Sequence, residues 1–345
     1  MSRQPIAITA TGMVTGVGLN TASSCAAIRA AIDNFQETRF MDAGGQWIQG
    51  SEVPLEKPWR GTRKLAKMLA MALSECAEQG QVDLASVPII ICLAEKERPG
   101  RVENLANKVF FEIQEELDIQ LHKDSTFVEH GRVGGLVAIK QARAMLYETT
   151  TEQVIVAGVD SLLTAPALRH YEEGERLLTS INSNGFIPAE GASALLMQKP
   201  RANENKQLIC TGLGFSVETA TIDSELPLRA DGLVAAIKES LDDAQIPMES
   251  LDFRIVDVSG EQYWFKESSL ALLRTLHTPQ ENFDIWHPAD CIGEIGAAIG
   301  PAIFINAKHA CENDYSEGDN ILCHFSNIDG KRGASIVTYA QVGSR

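Results

Sequence analysis

The stretch from Ser125 to Tyr147 constrains the fold more than any other. Thr126 to Val128 has the residue types of a short buried strand. Gly131, Gly134 and Gly135 follow closely and permit a tight turn with close backbone approach. Leu136 to Leu146 then reads as a helix, apolar on most sides in its first turns, which is the pattern of a buried helix. A strand, a Gly-rich elbow and a buried helix set a group at a helix N-terminus, where free N–H groups and the dipole favour an anion. Several acyl-transfer folds hold a Cys or Ser nucleophile in this way. Here the elbow carries Arg132.

The rest of the chain reads as an α/β protein in two similar halves. Ile6 to Thr11 is a strand candidate, and Asn20 or Thr21 can cap a helix through Ala26 to Ile32. Phe35 to Pro58 is mixed and turn-rich. Leu65, Met68, Leu69, Leu73 and Cys76 recur at helical spacing, as do Val102, Leu105, Val109, Ile113 and Leu117. Pro88 to Leu93, Gln153 to Ala157 and Ala194 to Met197 read as strands, the last fed by a loop from Gly185. Pro200 to Lys206 is polar and reads as a junction, so the halves are expected at 1–203 and 204–345. In the second half, Leu208 to Thr211 reads as a strand followed by a Gly212-Leu-Gly214 loop, and Gly232 to Ala244 as a helix. The remaining elements are Phe253 to Val258, Glu267 to Leu276, Ile321 to Phe325 and Ala334 to Tyr339. Between them Gly293-Glu-Ile-Gly-Ala-Ala-Ile-Gly300 forms a second elbow ahead of a helix through Phe304 to His309. Each half thus repeats a βαβαβ-type pattern with an elbow late in it.

Composition narrows the function. A net charge of −16 and the lack of any Lys/Arg block disfavour nucleic acid and anionic membrane surfaces. The apolar runs are far short of a bilayer span, and the N-terminal residues lack a signal-peptide core, so a cytoplasmic protein is expected. The seven cysteines are scattered without a CxxC, as buried free thiols are. Gly12, Gly16 and Gly18 are in the wrong order for a dinucleotide fingerprint, and no cofactor motif is present. Arg60, Arg63, Lys64 and Lys67 form a small basic cluster that could receive an acidic partner, although a solvated helix start has the same pattern.

Local sequence carries a resemblance across nearly the whole chain. Met13-Val-Thr-Gly-Val-Gly18 resembles G-M-V-T-P-x-G, and Val156-Ala-Gly-Val-Asp-Ser161 resembles V-A-G-G-x-(D/E)-S. Gly185-Phe-Ile-Pro-Ala-Glu-Gly-Ala-Ser193, with Gly185, Phe186, Glu190 and Gly191 as its framework, is similar to G-F-x-x-G-E-G-A-G. Gly293 to Gly300 resembles G-H-x-x-G-A-A-G. These motifs resemble the β-ketoacyl-[acyl-carrier-protein] synthases of the thiolase superfamily. The fold implied is a five-layer αβαβα sandwich of two pseudo-symmetric halves. The chemistry implied is transfer of an acyl chain to a Cys thiolate, then condensation with a malonyl unit with help from two His.

Carried over position by position, that machinery is missing. The Cys position holds Arg132, the first His falls on Ser259, the second on Glu294, and the Lys on Ala289. The Phe-Gly-rich loop falls on Ser326-Asn-Ile-Asp-Gly330. His130 and Cys291 lie near the two elbows, and each also reads as an ordinary hydrogen-bonding His or buried thiol. The resemblance further implies that the elbows face one another, so Arg132 and Glu294 are expected to form an ion pair that plugs the former pocket.

Three readings follow. One is a non-catalytic thiolase-fold module for interaction, scaffolding or adaptor work, like the chain-length factors of polyketide synthases or the short synthase-like proteins found beside type VI secretion spikes. The second is a 3-oxoacyl-ACP synthase-like acyltransferase with unorthodox residues, or the non-catalytic half of a synthase heterodimer. The third is a small-molecule or acyl binding protein. The resemblance implies a homodimer or a heterodimer with another thiolase-fold or adaptor protein, with the sheet continued between subunits near Gln153 to Ala157. An acyl carrier protein is a further candidate partner, opposed by the chain's acidity.

Overall fold

The computed structural model describes residues 4–202, 205–278, 280 and 282–342. The first half runs β1 (Ile6–Val14), α1 (Thr21–Arg29), β2 (Gln36–Met41), β3 (Trp47–Gly50), α2 (Gly61–Gly80), β4 (Ile89–Cys92), α3 (Leu105–Leu117), β5 (Thr126–Val128), α4 (Gly134–Glu148), β6 (Gln153–Ser161), α5 (Ala165–Glu173) and β7 (Glu190–Gln198). The second runs β8 (Lys206–Val217), α6 (Asp231–Ala244), β9 (Phe253–Val256), α7 (Gln262–Thr275), β10 (Ile285–Trp286), α8 (Ala289–Ile292), α9 (Ile299–Glu312), β11 (Asn320–Ser326) and β12 (Lys331–Gln341). The expected boundary between Asn203 and Glu204 lies outside the described residues.

Ten strands make one mixed sheet in the order β10-β9-β11-β12-β8-β1-β7-β6-β4-β5. Its two sides have the same design. In each, the outer three strands run parallel, and the next two join antiparallel. The sides meet only where Ile6, Ala7 and Ile8 of β1 pair with Cys210, Ile209 and Leu208 of β8. Helices α4 and α9 each touch strands of both sides and so form a central layer. Helices α2 and α3 cover the outer face of the first side, and α6 packs with α7 over the second. The five layers are αβαβα. The largest apolar cluster lies around α4 and α9, with separate clusters beneath α2/α3 and beneath α6/α7.

Glycines set how closely these layers approach. A Cβ at Gly135 would lie 2.7 Å from Gly300 Cα, and one at Gly300 would lie 2.7 Å from Gly135 Cα. The two central helices therefore cross backbone to backbone. Gly12 and Gly212 have a matching task under the outer helices, where a Cβ would meet Ala72 O at 1.9 Å or Ser240 O at 2.1 Å.

Those contacts explain two departures from the sequence reading. Gly12 is inside β1, and Gly212 and Gly214 are inside β8, because they admit helix backbone and do not turn the chain. The Phe35 to Pro58 stretch holds a two-stranded ribbon, β2 paired with β3, which alternation of exposed polar residues had concealed. A third correction concerns assembly. Strand β6, which contains Gln153 to Ala157, is paired with β4 on one side and β7 on the other, so it has no free edge. The open edges belong to β5 and β10.

Candidate functional site

Both elbows are single 3-10 turns, Gly131–Val133 before α4 and Gly296–Ala298 before α9. Gly131 and Gly296 take φ of +53° and +56°, the left-handed region that glycine enters without strain. The elbows pack against each other, and the structure brings Arg132, Ser259 and Glu294 together between them.

Arg132 is 7% exposed and Glu294 8%. Arg132 Nη1 lies 3.2 Å from Glu294 Oε2, and its Nε lies 3.6 Å from Asp257 Oδ2. The guanidinium sits 4.5 Å from the Trp264 ring centre, with Arg332 at 5.5 Å from the same ring. Ser259 Oγ donates to Glu294 Oε2 at 2.7 Å, and Gly296 N–H donates to Glu294 Oε1 at 2.9 Å. Each carboxylate oxygen of Glu294 is thus engaged. Burial works against the Arg132 charge, but Glu294 and Asp257 outweigh it and hold the guanidinium above its ordinary range.

Asp257 is the second carboxylate on one cation. Burial pushes its carboxyl up to about 7, and the charge of Glu294 adds to the rise while Arg132 opposes it. Its folded pKa is above its unfolded one, so its contribution to stability is full below about 4 and is lost as pH rises to about 7. Chemical unfolding at a series of pH values should show stability falling over that window, and Asp257→Asn should flatten the fall.

At each helix start a backbone donor is bound by a side chain from elsewhere in this chain. Val133 N–H donates to Asn327 Oδ1 at 3.2 Å, and Ala297 N–H donates to Asp160 Oδ2 at 2.9 Å. Asn327 Nδ2 also donates to the His130 carbonyl at 2.7 Å, so Asn327 clamps the first elbow. Around this centre stand three further buried or nearly buried pairs. Arg98 meets Asp160 at 2.5 Å, Arg176 binds Glu261 through two bonds of 2.7 and 2.8 Å, and Arg332 meets Glu267 at 2.8 Å. The cavity left among Arg98, Arg132, Arg176, Glu261 and Glu294 is about 30 Å³, room for a water or two. A larger space of about 890 Å³ lies beyond Glu95, Arg98 and Arg176, beside His130 and Lys331.

The other sequence candidates have different places. All seven cysteines are buried and free. Cys92, behind Gly134, has its thiol pushed up by burial. Cys291 is not among the residues around Arg132, and burial with Asp290 raises its thiol to about 11. Ala289 starts α8, and Ser326 N–H donates to Asp257 Oδ2 at 2.9 Å. Gly185, Phe186, Glu190 and Gly191 are framework. Gly185 O would lie 2.1 Å from a Cβ at Gly260, Phe186 packs against Tyr171, and a Cβ at Gly191 would lie 2.9 Å from Val14 O. Glu190 is buried, pairs with Lys64 at 2.5 Å and accepts from Val53 N–H and Ser161 Oγ. It begins β7, which therefore starts earlier than the sequence reading placed it. The basic cluster is largely neutralised within the chain: Arg63 meets Glu115, Lys64 meets Glu52 and Glu190, and Lys67 meets Glu116.

Sequence reasoning missed Asp160, Trp264 and the flanking Arg–carboxylate pairs as members of this site, and it placed Asn327 only as part of the stretch matched to the Phe-Gly-rich loop. Asp160 stands in the quoted Val156 to Ser161 motif at the end of β6, and Asp257 directly follows β9; these positions at strand ends are the signal that could have drawn attention to them.

No protein-family profile and no curated protein matches the chain. Solved structures do match along its length. A type II polyketide ketosynthase, solved in complex with its acyl-carrier protein, is 12% identical, with a TM-score of 0.81 over 98% of this chain and 100% of that one. The ishigamide ketosynthase/chain length factor is 16% identical, TM-score 0.79, over 98% and 100%. A β-ketoacyl synthase from Burkholderia phymatum is 14% identical, TM-score 0.71, over 99% and 100%. Among the described residues no helix is long and apolar enough to cross a membrane. With its central helix pair, its two matching half-sheets and these likenesses, the chain has the thiolase-type fold of the ketosynthases and chain length factors.

Proposed function

We propose that this chain is a non-condensing ketosynthase-fold protein that works as an interaction half, in the manner of a chain-length factor, paired with another thiolase-fold subunit. One observation carries the reading. Three backbone N–H groups of the elbows, those of Val133, Gly296 and Ala297, are bound by Asn327, Glu294 and Asp160, beside a cavity of about 30 Å³. An acyl chain has no room there, and no thiol stands at the elbow. The alternative of an acyltransferase with substituted residues would need Arg132 and Glu294 to separate first. Loss of the chemistry with retention of the fold leaves the surface as the working part.

The open edge of β5 favours pairing with a second sheet. Thr126 to Val128 bond to β4 on one side only, and an unpaired edge is a template for another strand. Two copies of this chain would meet there as readily as a mixed pair. An adaptor beside a type VI secretion spike is a narrower form of the same reading. A carrier protein is a weaker partner, because Arg60 alone in its basic cluster lacks an ion pair among the described residues.

The test is intact-protein mass spectrometry after incubation with acyl- and malonyl-thioesters, with and without carrier protein, alongside native mass measurement. No adduct, no malonyl decarboxylation and a dimer mass are expected. A stoichiometric acyl adduct would overturn the reading.

A further inference from the structure

We propose that the space of about 890 Å³ beside the closed centre binds a primary ammonium group carried on an apolar stem. Its volume is in the range of small-molecule sites. It shares Glu95, Arg98, Tyr171, Arg176 and Ile328 with the small cavity next to Arg132, so these residues stand between the two.

The charges on its wall are uneven in one direction. Every cation there is already committed within the chain. Lys96 meets Glu129 at 3.4 Å, Arg98 meets Asp160 at 2.5 Å, Arg176 meets Glu261 at 2.7 Å, and Lys331 pairs with Asp329. Arg101, from outside the lining, is a second partner of Glu129. Glu95, Glu97 and Asp223 line the same space and have no ion pair among the described residues. Counted with these partners, acids outnumber cations seven to five. Burial, with Lys331 nearby, holds His130 below its ordinary range, so it adds no positive charge near neutrality. The uncommitted charge is negative, and a phosphate or carboxylate would meet no free cation.

Two side chains point to a ligand. Tyr171 is 4% exposed, yet its hydroxyl has no hydrogen-bond partner among the described residues. A buried tyrosine hydroxyl ordinarily has one. It stands in the field of Arg98, Glu95 and Arg176, which share its wall. The Glu95 carboxylate packs over the first elbow, where a Cβ at Gly131 would lie 2.1 Å from Oε1. Its one hydrogen bond comes from its own backbone N–H. Burial holds its carboxyl above the ordinary range, and Arg98 and Arg132 offset only part of that rise. An ammonium group supplies donors and a positive charge together; Tyr171 and Glu95 offer acceptors, and Glu95 the counter-charge. Phe127, Val128 and Ile328 give the stem an apolar wall. Phe127 and Val128 belong to β5, so the space lies beside the edge where a partner would pair. The ammonium therefore has two sources, a free amine or a lysine side chain of that partner.

The test is calorimetry on the full chain with phenethylamine, hexylamine and a blocked Ala-Lys-Ala tripeptide, with phenethyl alcohol and hexanoate as controls. Saturable binding by at least one amine-bearing probe is expected, and none by hexanoate. Preference for the free amines names a small molecule as the source, and preference for the tripeptide names a partner's lysine. Glu95→Gln should weaken the amines by about tenfold or more and leave phenethyl alcohol unchanged, and Tyr171→Phe should weaken them by about fivefold. Glu97 and Asp223 are exposed, so Glu97→Gln with Asp223→Asn keeps the test usable if a buried variant folds poorly. That pair should weaken the amines by about twofold and reduce the salt dependence of binding. The proposal fails if no amine-bearing probe saturates, if either control binds as tightly as the amines, or if amine binding is indifferent to both Glu95→Gln and the surface pair.

Discussion

Arg132→Ala should cost on the order of 3–5 kcal/mol of folding stability, several times the loss from an exposed ion pair. The substitution leaves Glu294 and Asp257 buried with their common cation gone, and it removes the charge held over Trp264. The size of the loss comes from those stranded carboxylates more than from the bond itself. Glu294→Gln gives the complementary measurement. The amide keeps an acceptor for Gly296 N–H, and Arg132 retains Asp257, so its loss should be the smaller. Combining Arg132→Met with Glu294→Leu should recover part of what Arg132→Ala loses, because the buried charge of Glu294 disappears with its partner while Asp257 alone is left without its cation. Urea unfolding of the three proteins decides the matter. A loss under about 1 kcal/mol for Arg132→Ala would show that water already screens the pair.

Gly135→Ala and Gly300→Ala should each destabilise by about 3 kcal/mol or more, against the usual direction for glycine in a helix. A methyl at either site would meet backbone at 2.7 Å, which no side-chain rotation relieves. The central helices would have to move apart, opening the layer that holds both elbows. Since the two glycines touch, the double variant should lose less than the sum of the singles. Gly174→Ala is the control, with its nearest neighbour at 3.5 Å and ordinary φ; its effect should be close to zero. Equal effects at Gly174 and Gly135 would mean that the crossing is looser than its geometry indicates.

Much of the fold is legible in the sequence because local signals and the buried pattern agree. Thr126 to Val128 is a strand at the limits its residues suggest, and the elbows follow from closely spaced glycines. Asn20 caps α1 with a reciprocal bond from Ser23, a signal carried within four residues. The polar centre was legible only in part. That Arg132 faces Glu294 could be expected from the resemblance and not from spacing, since the two are 162 residues apart. The clamp from Asn327 to Val133 spans 194 residues, and the bond from Asp160 to Ala297 spans 137. Such contacts have no periodicity to announce them. Gly212 and Gly214 misled for a related reason: their task, admitting a helix, is set by a partner distant in sequence.

The closed centre also has an evolutionary meaning. A thiol placed at position 132 by one substitution would stand beside Glu294 and Asp257 with their cation gone, surroundings that suppress thiolate formation. The backbone donors would still be held by Asn327, Glu294 and Asp160. A Cys at position 132 alone is therefore expected to be a poor nucleophile as well as destabilising, and a reactive thiolate there would need several changes together. The charge network thus locks the elbow: exchanging any one of Arg132, Glu294 and Asp257 leaves another buried charge short of a partner.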